Sequence, residues 1–361
     1  MSFEEFDLVV IGGGVVGLST ALAAAKSGVK SIICIDQYGV ANPFGASGDG
    51  LRLFRLSYFE HPSYVPLLRQ AIESWQELGV SLYCPVGGFY AGPIRSELIQ
   101  GSLESANRHK IEHDIMPAET ARKQFPQFFL PQDYVVFLES EGGYVRAAAG
   151  TRAIAAAAQA AGVLIAEAKV LGIRPSGDKW VVEGSDFSAL ADRVIVAAGY
   201  ETSELVPKIK PFLSKEAHLL LWLDDSSHQF DLGPGFGIMN EEGEMLYGFP
   251  GVDDVPGVKV GGHHRFSSSD TVEQERRLTE LANQFLPGLS GSVLSRKVCP
   301  YDMSPDGHFM FGEVEPGLSV ACGFSGHGFK FGAELGKLAW AAANNTLSKD
   351  LEFLSVERFL K

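Results

Sequence analysis

The chain has 361 residues, 45% of them hydrophobic and 20% charged, so it has the apolar content for a large core and more length than one compact domain usually takes. A net charge of -14 with no local cluster of Lys and Arg argues against nucleic acid or an anionic membrane surface as a partner. Cys34, Cys84, Cys299 and Cys322 lie far apart without metal-ligand spacing; neither disulfides nor zinc is expected, and a reducing cytoplasm fits.

The opening Met1-Ser2-Phe3-Glu4-Glu5-Phe6 is acidic and leads directly into an apolar run, so no signal peptide is expected. Phe6 to Ile11 reads as a strand, Gly12 to Gly17 as a turn, Leu18 to Ser27 as an Ala-rich helix closed by Gly28, and Ser31 to Ile35 as a second strand. Gly12, Gly14 and Gly17 fit GxGxxG, with Val15 and Val16 between the last two glycines, and Asp36 ends the second strand 19 positions after Gly17. Glycines there allow a tight turn and close approach of a pyrophosphate. The helix N-terminus stabilises its negative charge, and the acid accepts hydrogen bonds from a ribose diol. This signature points to a dinucleotide but fits FAD and NAD equally. A nicotinamide dehydrogenase and a non-catalytic nucleotide-binding module both stay open at this stage.

Further along, Arg69 to Leu78 has helical spacing, and residues 81–144, richer in Gly, Pro and aromatics, read as the first piece of a second domain. Ala147 to Ala161 is again a helix; the long apolar stretch it begins is broken by Arg152 and Gln159, which suits a packed helix and not a membrane span. Strands follow near Val163 to Ala168 and Trp180 to Glu183. Arg193 to Gly199 then reads as a buried parallel strand running into a small-residue turn, with Gly199 beside the nucleotide. His218 to Leu223, Met245 to Phe249 and Val258 to Gly261 read as strands of another sheet, and Gly332 to Ala343 as a last helix. The expected class is therefore α/β. A Rossmann-like cofactor domain takes residues 1–80, 145–210 and 295–361, with the chain re-entering it from Cys299 onward. A discontinuous second domain, 81–144 and 211–294, is built on a mixed or antiparallel sheet and binds the substrate.

Two late segments carry the chemistry: Cys299-Pro300-Tyr301-Asp302-Met303-Ser304-Pro305-Asp306 and Gly323-Phe324-Ser325-Gly326-His327-Gly328-Phe329-Lys330. With the glycine loop, they resemble the monomeric sarcosine oxidase and N-methyltryptophan oxidase branch of the D-amino-acid-oxidase-like flavoproteins, and the resemblance runs along the whole chain. It implies FAD, attached covalently through Cys299. It also implies that Gly326, His327 and Gly328 run along the flavin, and that Lys330 and Arg52 clamp a substrate carboxylate. In the stretch Asp49-Gly50-Leu51-Arg52-Leu53-Phe54-Arg55, a planar, permanently charged guanidinium suits that anion. Arg55 is carried over as support for the flavin, with Tyr58 following it, and Gly48 as a cofactor contact. Lys259 matches the lysine that activates dioxygen, since a cation beside reduced flavin stabilises a superoxide-like anion. On an alternating strand Lys259, Gly261 and His263 point to one face, so His263 can share the pocket, with Tyr247 and Tyr301 as further walls.

The implied reaction is oxidation of the C–N bond of a small amino acid, a secondary N-alkyl one in the first place, to an imine. Dioxygen is reduced to hydrogen peroxide, in a monomer. Cyclic imino acids, fructosyl amino acids, or an electron acceptor other than oxygen are the alternatives on the same fold. One departure bears on substrate. The sarcosine-oxidase relatives have histidine before Gly-Asp-Thr-Arg, whereas this chain has Ala46-Ser47-Gly48-Asp49-Gly50-Leu51-Arg52, so sarcosine is expected to be a poor substrate.

Overall fold

A computed structural model describes residues 4–360 apart from 49, 232, 252–256, 264–269 and 290. β1 (Glu4–Ile11), α1 (Val15–Lys26) and β2 (Ile32–Asp36) form the expected unit, with β1 parallel to β2 on one side and to Ser188–Val196 on the other. The helix starts at Val15, sooner than the apolar spacing suggests, because Gly14 is extended and ends the turn as its N-cap. Two glycines are fixed by contact. A Cβ on Gly12, at φ +108°, would lie 2.3 Å from the Ala197 carbonyl oxygen, and one on Gly17 would lie 1.8 Å from the Gly12 carbonyl oxygen. Turn, helix and neighbouring strand therefore close on one another where no side chain fits.

This first sheet has eight strands. Ser188–Val196 pairs antiparallel with Lys179–Gly184 over its first half and parallel with Leu318–Cys322 over its second. The second sheet also has eight, in the order Val293–Met303, Ser214–Leu223, Val258–His263, Met245–Phe249, Gly235–Met239, Gly88–Pro93, Tyr134–Glu139, His113–Pro117. It is mixed: Gly235–Met239 and Gly88–Pro93 run parallel and the other neighbours antiparallel. Alternation along Ser214–Leu223 separates its faces. Leu219, Leu221 and Leu223 join the core under the helix Thr271–Phe285, while Leu220 and Trp222 turn to the other face with Cys299 and Tyr301. A three-stranded sheet of β3 (Leu51–Phe54), Gly143–Arg146 and Tyr83–Cys84 completes the set.

One boundary moves. Val293–Met303 pairs with Ser214–Leu223 from end to end, Cys299 opposite His218, so residues up to Met303 belong to the second sheet, where the sequence reading returned to the cofactor domain at 295. A single apolar strand looks the same whichever sheet it joins, because register partners are remote in sequence.

α1 is crossed by the helix Ala333–Ala343 at very short range: a Cβ on Gly336 would lie 2.0 Å from the Ser19 carbonyl carbon. Alanine is the better helix former by about 1 kcal/mol. The crossing should nonetheless make Gly336→Ala destabilising by about 1–3 kcal/mol, because two backbones must separate. Denaturant midpoints of the two proteins test this, and an unchanged or raised midpoint contradicts it.

Candidate active site

A cavity of about 500 Å³ runs from the Gly12–Gly14 turn to Lys330, between the two large sheets. At its first end Asp36 accepts from the Gly13 amide through Oδ2 at 2.7 Å and from the Tyr38 amide through Oδ1 at 2.8 Å. Oδ1 also accepts from Asn42 Nδ2 at 3.2 Å, so Oδ2 is the oxygen that keeps acceptor capacity for a hydroxyl. The Val15 amide at the head of α1 donates to Ser47 Oγ at 3.0 Å. Val16, Gly48 and Gly199 also line this end; a Cβ on Gly48 would fall 1.9 Å from the Asn42 carbonyl oxygen, so the 42–48 loop is folded back on itself. Asp49, next in that stretch, lies outside the described residues.

The second sheet supplies Tyr247, Lys259, His263, Cys299 and Tyr301 to the same cavity. Lys259 is buried; its Nζ donates to the Leu51 carbonyl at 3.2 Å and lies 5.2 Å from the Trp222 ring centre. The hydroxyls of Tyr247 and Tyr301 are 3.5 Å apart, and burial pushes both phenols above their ordinary range. His263 faces His327 at 6.5 Å between ring centres. Cys299 is buried and unbridged, and shares a small apolar cluster with Leu220, Trp222 and Tyr301.

The two late segments are tied together. Asp302 Oδ2 accepts from the Gly323 amide at 2.7 Å and the Asp302 carbonyl from the Ser325 amide at 2.9 Å. Burial pushes the Asp302 carboxyl up to about 6 against the pull of the Phe324, Asp302 and Gly323 amides. Gly326, at φ +77°, leaves no room for a Cβ, which would be 2.2 Å from Tyr301 Cε2. Asp306 holds Arg358 at 2.8 Å and caps a turn through the His308 amide, an architectural role. His327 Nε2 lies 2.9 Å from the Gly307 carbonyl, which only accepts, so Nε2 carries the proton and Nδ1 accepts from Tyr58 Oη at 2.5 Å. Burial pushes His327 down to about 4, leaving it neutral near pH 7.

The arginines sort differently from expectation. Arg52 lines the cavity and donates to the carbonyls of Leu51 (3.0 Å), Ala46 (2.8 Å) and Gly48 (3.0 Å), three of its five N–H groups, which stiffens the loop that carries Ser47. Arg55 is the arginine brought together with Lys330. Their charged groups lie 5.3 Å and 4.9 Å from the centre of one ring, Tyr58. Arg55 pairs with Glu60 at 2.6 Å, in a buried contact, while its Nε and Nη1 have no hydrogen-bond partner among the described residues. Lys330 donates to the His327 carbonyl at 2.9 Å and reaches Tyr58 Oη at 3.5 Å. Burial opposes the Glu60 charge, but Arg55, His327, Lys330 and His263 together hold its carboxyl down at about 2. Sequence reasoning missed Glu60 and Ser47; the only signal for Glu60 is a charged residue five places after Arg55 in an otherwise apolar and aromatic stretch.

Residues 7–341 match the family model described as DAO, FAD dependent oxidoreductase. The chain belongs to this family. It is 28% identical over 373 aligned residues to N-methyl-L-tryptophan oxidase of Yersinia pestis (strain Pestoides F), covering 98% of this chain and all of that protein. Among solved structures the fold is shared with NikD, an unusual amino acid oxidase essential for nikkomycin biosynthesis (TM-score 0.81, 22% identity, 98% of this chain and 97% of that one). It is also shared with the fructosyl amine:oxygen oxidoreductase Amadoriase I from Aspergillus fumigatus (TM-score 0.80, 19% identity, 99% and 90%). The residues present fit the FAD of this DAO-family chain. Asp36 faces the cavity with acceptor capacity left on Oδ2, the head of α1 opens onto it, and Gly12, Gly14 and Gly48 clear its wall of side chains.

Lys330 gives a stability test with a fixed sign. Burial, partly offset by Glu60, lowers its pKa from 10.5 to about 7, so between those values the unfolded chain binds a proton that the folded chain has released. Its contribution to stability therefore rises with pH across that window and is lowest below about 7. Lys330→Met should unfold at a higher temperature than the parent near pH 7, with the gap narrowing toward pH 10. Thermal unfolding of both proteins across that range decides; a gap that widens with pH contradicts the assignment.

Proposed function

We propose that this protein is an FAD-dependent oxidase of small amino acids, secondary N-alkyl ones first, which releases an imine and reduces dioxygen to hydrogen peroxide. The observation that carries the reading is Arg55. Its guanidinium shares the Tyr58 ring with the Lys330 ammonium at the cavity wall, two neighbouring cations with Glu60 as the ion-pair partner of Arg55, and a substrate carboxylate balances the positive charge left over. The clamp is accordingly Arg55 with Lys330, and Arg52 holds the loop at the nucleotide end. The working domain division keeps residues 81–144 and 211–294 as the substrate side, extended to Met303 by the strand pairing.

With its carboxylate held there, the substrate's amine and neighbouring carbon lie toward Tyr247, His263 and Tyr301, whose hydroxyls and ring orient it and keep water out. FAD supplies the two-electron acceptor, taking a hydride equivalent from the carbon beside nitrogen. Cys299, in the matching position and facing the cavity, would hold it through a thioether. Lys259 places a buried ammonium at the same face of the sheet, which lowers the energy of the anion formed when dioxygen takes its first electron. The relatives' names agree with an N-alkyl amino acid or a fructosyl amine as the electron donor.

An amino acid should outperform its decarboxylated amine in kcat/KM by about 100-fold, the scale of losing the partner of two buried cations. Arg55→Lys should lose at least about tenfold, since an ammonium cannot reproduce the fork. Peroxide release from N-methyl, cyclic and fructosyl amino acids and the matching amines tests this, and amines that equal the acids overturn it. Acid-denatured parent protein should keep its yellow colour in the pellet and Cys299→Ser should release it; full release from the parent removes the covalent link and leaves FAD.

A further inference from the structure

The segment that carries Arg55, Tyr58 and Glu60 is not held by its own hydrogen bonding alone. An acid from the second sheet reaches across to it. Glu139, the last residue of the strand Tyr134–Glu139, is 2% exposed, and both its oxygens are engaged. Oε1 accepts from the Leu56 amide at 2.9 Å and from Tyr90 Oη at 3.4 Å, while Oε2 accepts from the Ser57 amide at 2.8 Å and Ser57 Oγ at 2.5 Å. The two amides immediately after Arg55 thus end on one carboxylate. Tyr90, which donates to it, also presents its ring to the Arg55 guanidinium at 5.6 Å, and Phe59 does so at 4.0 Å. Neighbouring contacts finish the docking: Ser105 Oγ donates to the Tyr58 carbonyl at 2.5 Å, and Gly101 leaves room for Phe59, whose carbonyl oxygen would be 2.4 Å from a Cβ there.

We infer that Glu139 is a positioning residue for the carboxylate clamp: it fixes the backbone on the C-terminal side of Arg55 and, with Tyr90, the attitude of the guanidinium. This rests on the functional reading above. Two buried carboxylates, Glu60 in direct contact and Glu139 one residue of backbone away, flank a single guanidinium. Glutamine in place of Glu139 retains the shape but not the acceptor pair, because its NH₂ group would face an amide N–H and leave one of the two unsatisfied.

The test is binding of acetate to the flavin-loaded enzyme, followed by the change in flavin absorbance, together with the rate at which dioxygen reoxidises the reduced enzyme. Glu139→Gln should weaken acetate about tenfold and leave reoxidation unchanged, with amino-acid turnover losing in KM more than in kcat. Tyr90→Phe and Ser57→Ala, each deleting one donor to the acid, should weaken acetate about two- to threefold, and they decide the matter if Glu139→Gln does not fold. In an Arg55→Lys background the Glu139→Gln loss should largely vanish, because both changes act through one group. Additive losses, an unchanged acetate affinity in Tyr90→Phe and Ser57→Ala, or an equal slowing of reoxidation overturn the inference. If Arg55→Lys itself binds acetate as the parent does, the clamp reading fails and this inference with it; if only the Glu139 set is silent, the clamp stands and Glu139 is architectural.

Discussion

The buried pair of Arg55 and Glu60 is the constraint around which the second half of the cavity is arranged. Breaking such a pair by removing one partner leaves an uncompensated charge in the interior, at a scale of about 3–5 kcal/mol. Glu60 lies among Arg55, Lys330, His263 and His327, and the Arg55 charge above all keeps it ionised. Lys330 would otherwise be a second buried cation with only a phenol and a carbonyl for company. The ring of Tyr58 serves both cations while its hydroxyl donates to Nδ1 of His327, whose tautomer the Gly307 carbonyl sets. Charge, ring and loop are therefore interdependent, and a change at any one alters what the others face.

The fold's part is to bring these groups to one place from remote segments. β3 and the residues after it contact the second sheet on one side and the loop in front of α1 on the other. The Leu51 carbonyl accepts from Lys259 of the second sheet, Glu139 of that sheet takes the Leu56 and Ser57 amides, and Arg52 ties the same segment to the loop whose Ser47 meets the head of α1. Trp75 in the helix Val65–Leu78 donates to the Lys330 carbonyl at 2.8 Å, anchoring the other side of the site to the helical layer. The nucleotide end and the charged end are thus parts of one connected framework.

Much of this was legible in the sequence, for identifiable reasons. The glycine turn, α1 and Asp36 obey local rules of spacing, so their positions follow from the chain alone. Lys259 and His263 share a cavity because alternation along a strand is also local. That the strand Val293–Met303 continues in the second sheet past residue 294 is not legible in the sequence, because its partner is some eighty residues earlier and pairing leaves no local mark. Choosing between Arg52 and Arg55 depends on which guanidinium finds carbonyls and which finds a carboxylate, and both sit in similar apolar surroundings of the linear chain. Glu139 looks like an ordinary acid at a strand end; only the chain crossing in front of it gives it a task.

The most direct measurement is a crystal structure of the flavin-loaded protein with acetate or a non-oxidisable amino-acid analogue in the cavity. The carboxylate is expected against the Arg55 guanidinium and the Lys330 ammonium, with Arg52 still bonded to the carbonyls of Ala46 and Gly48. A carboxylate bound by Arg52 instead, or one that leaves Arg55 Nε and Nη1 without a partner, would contradict it.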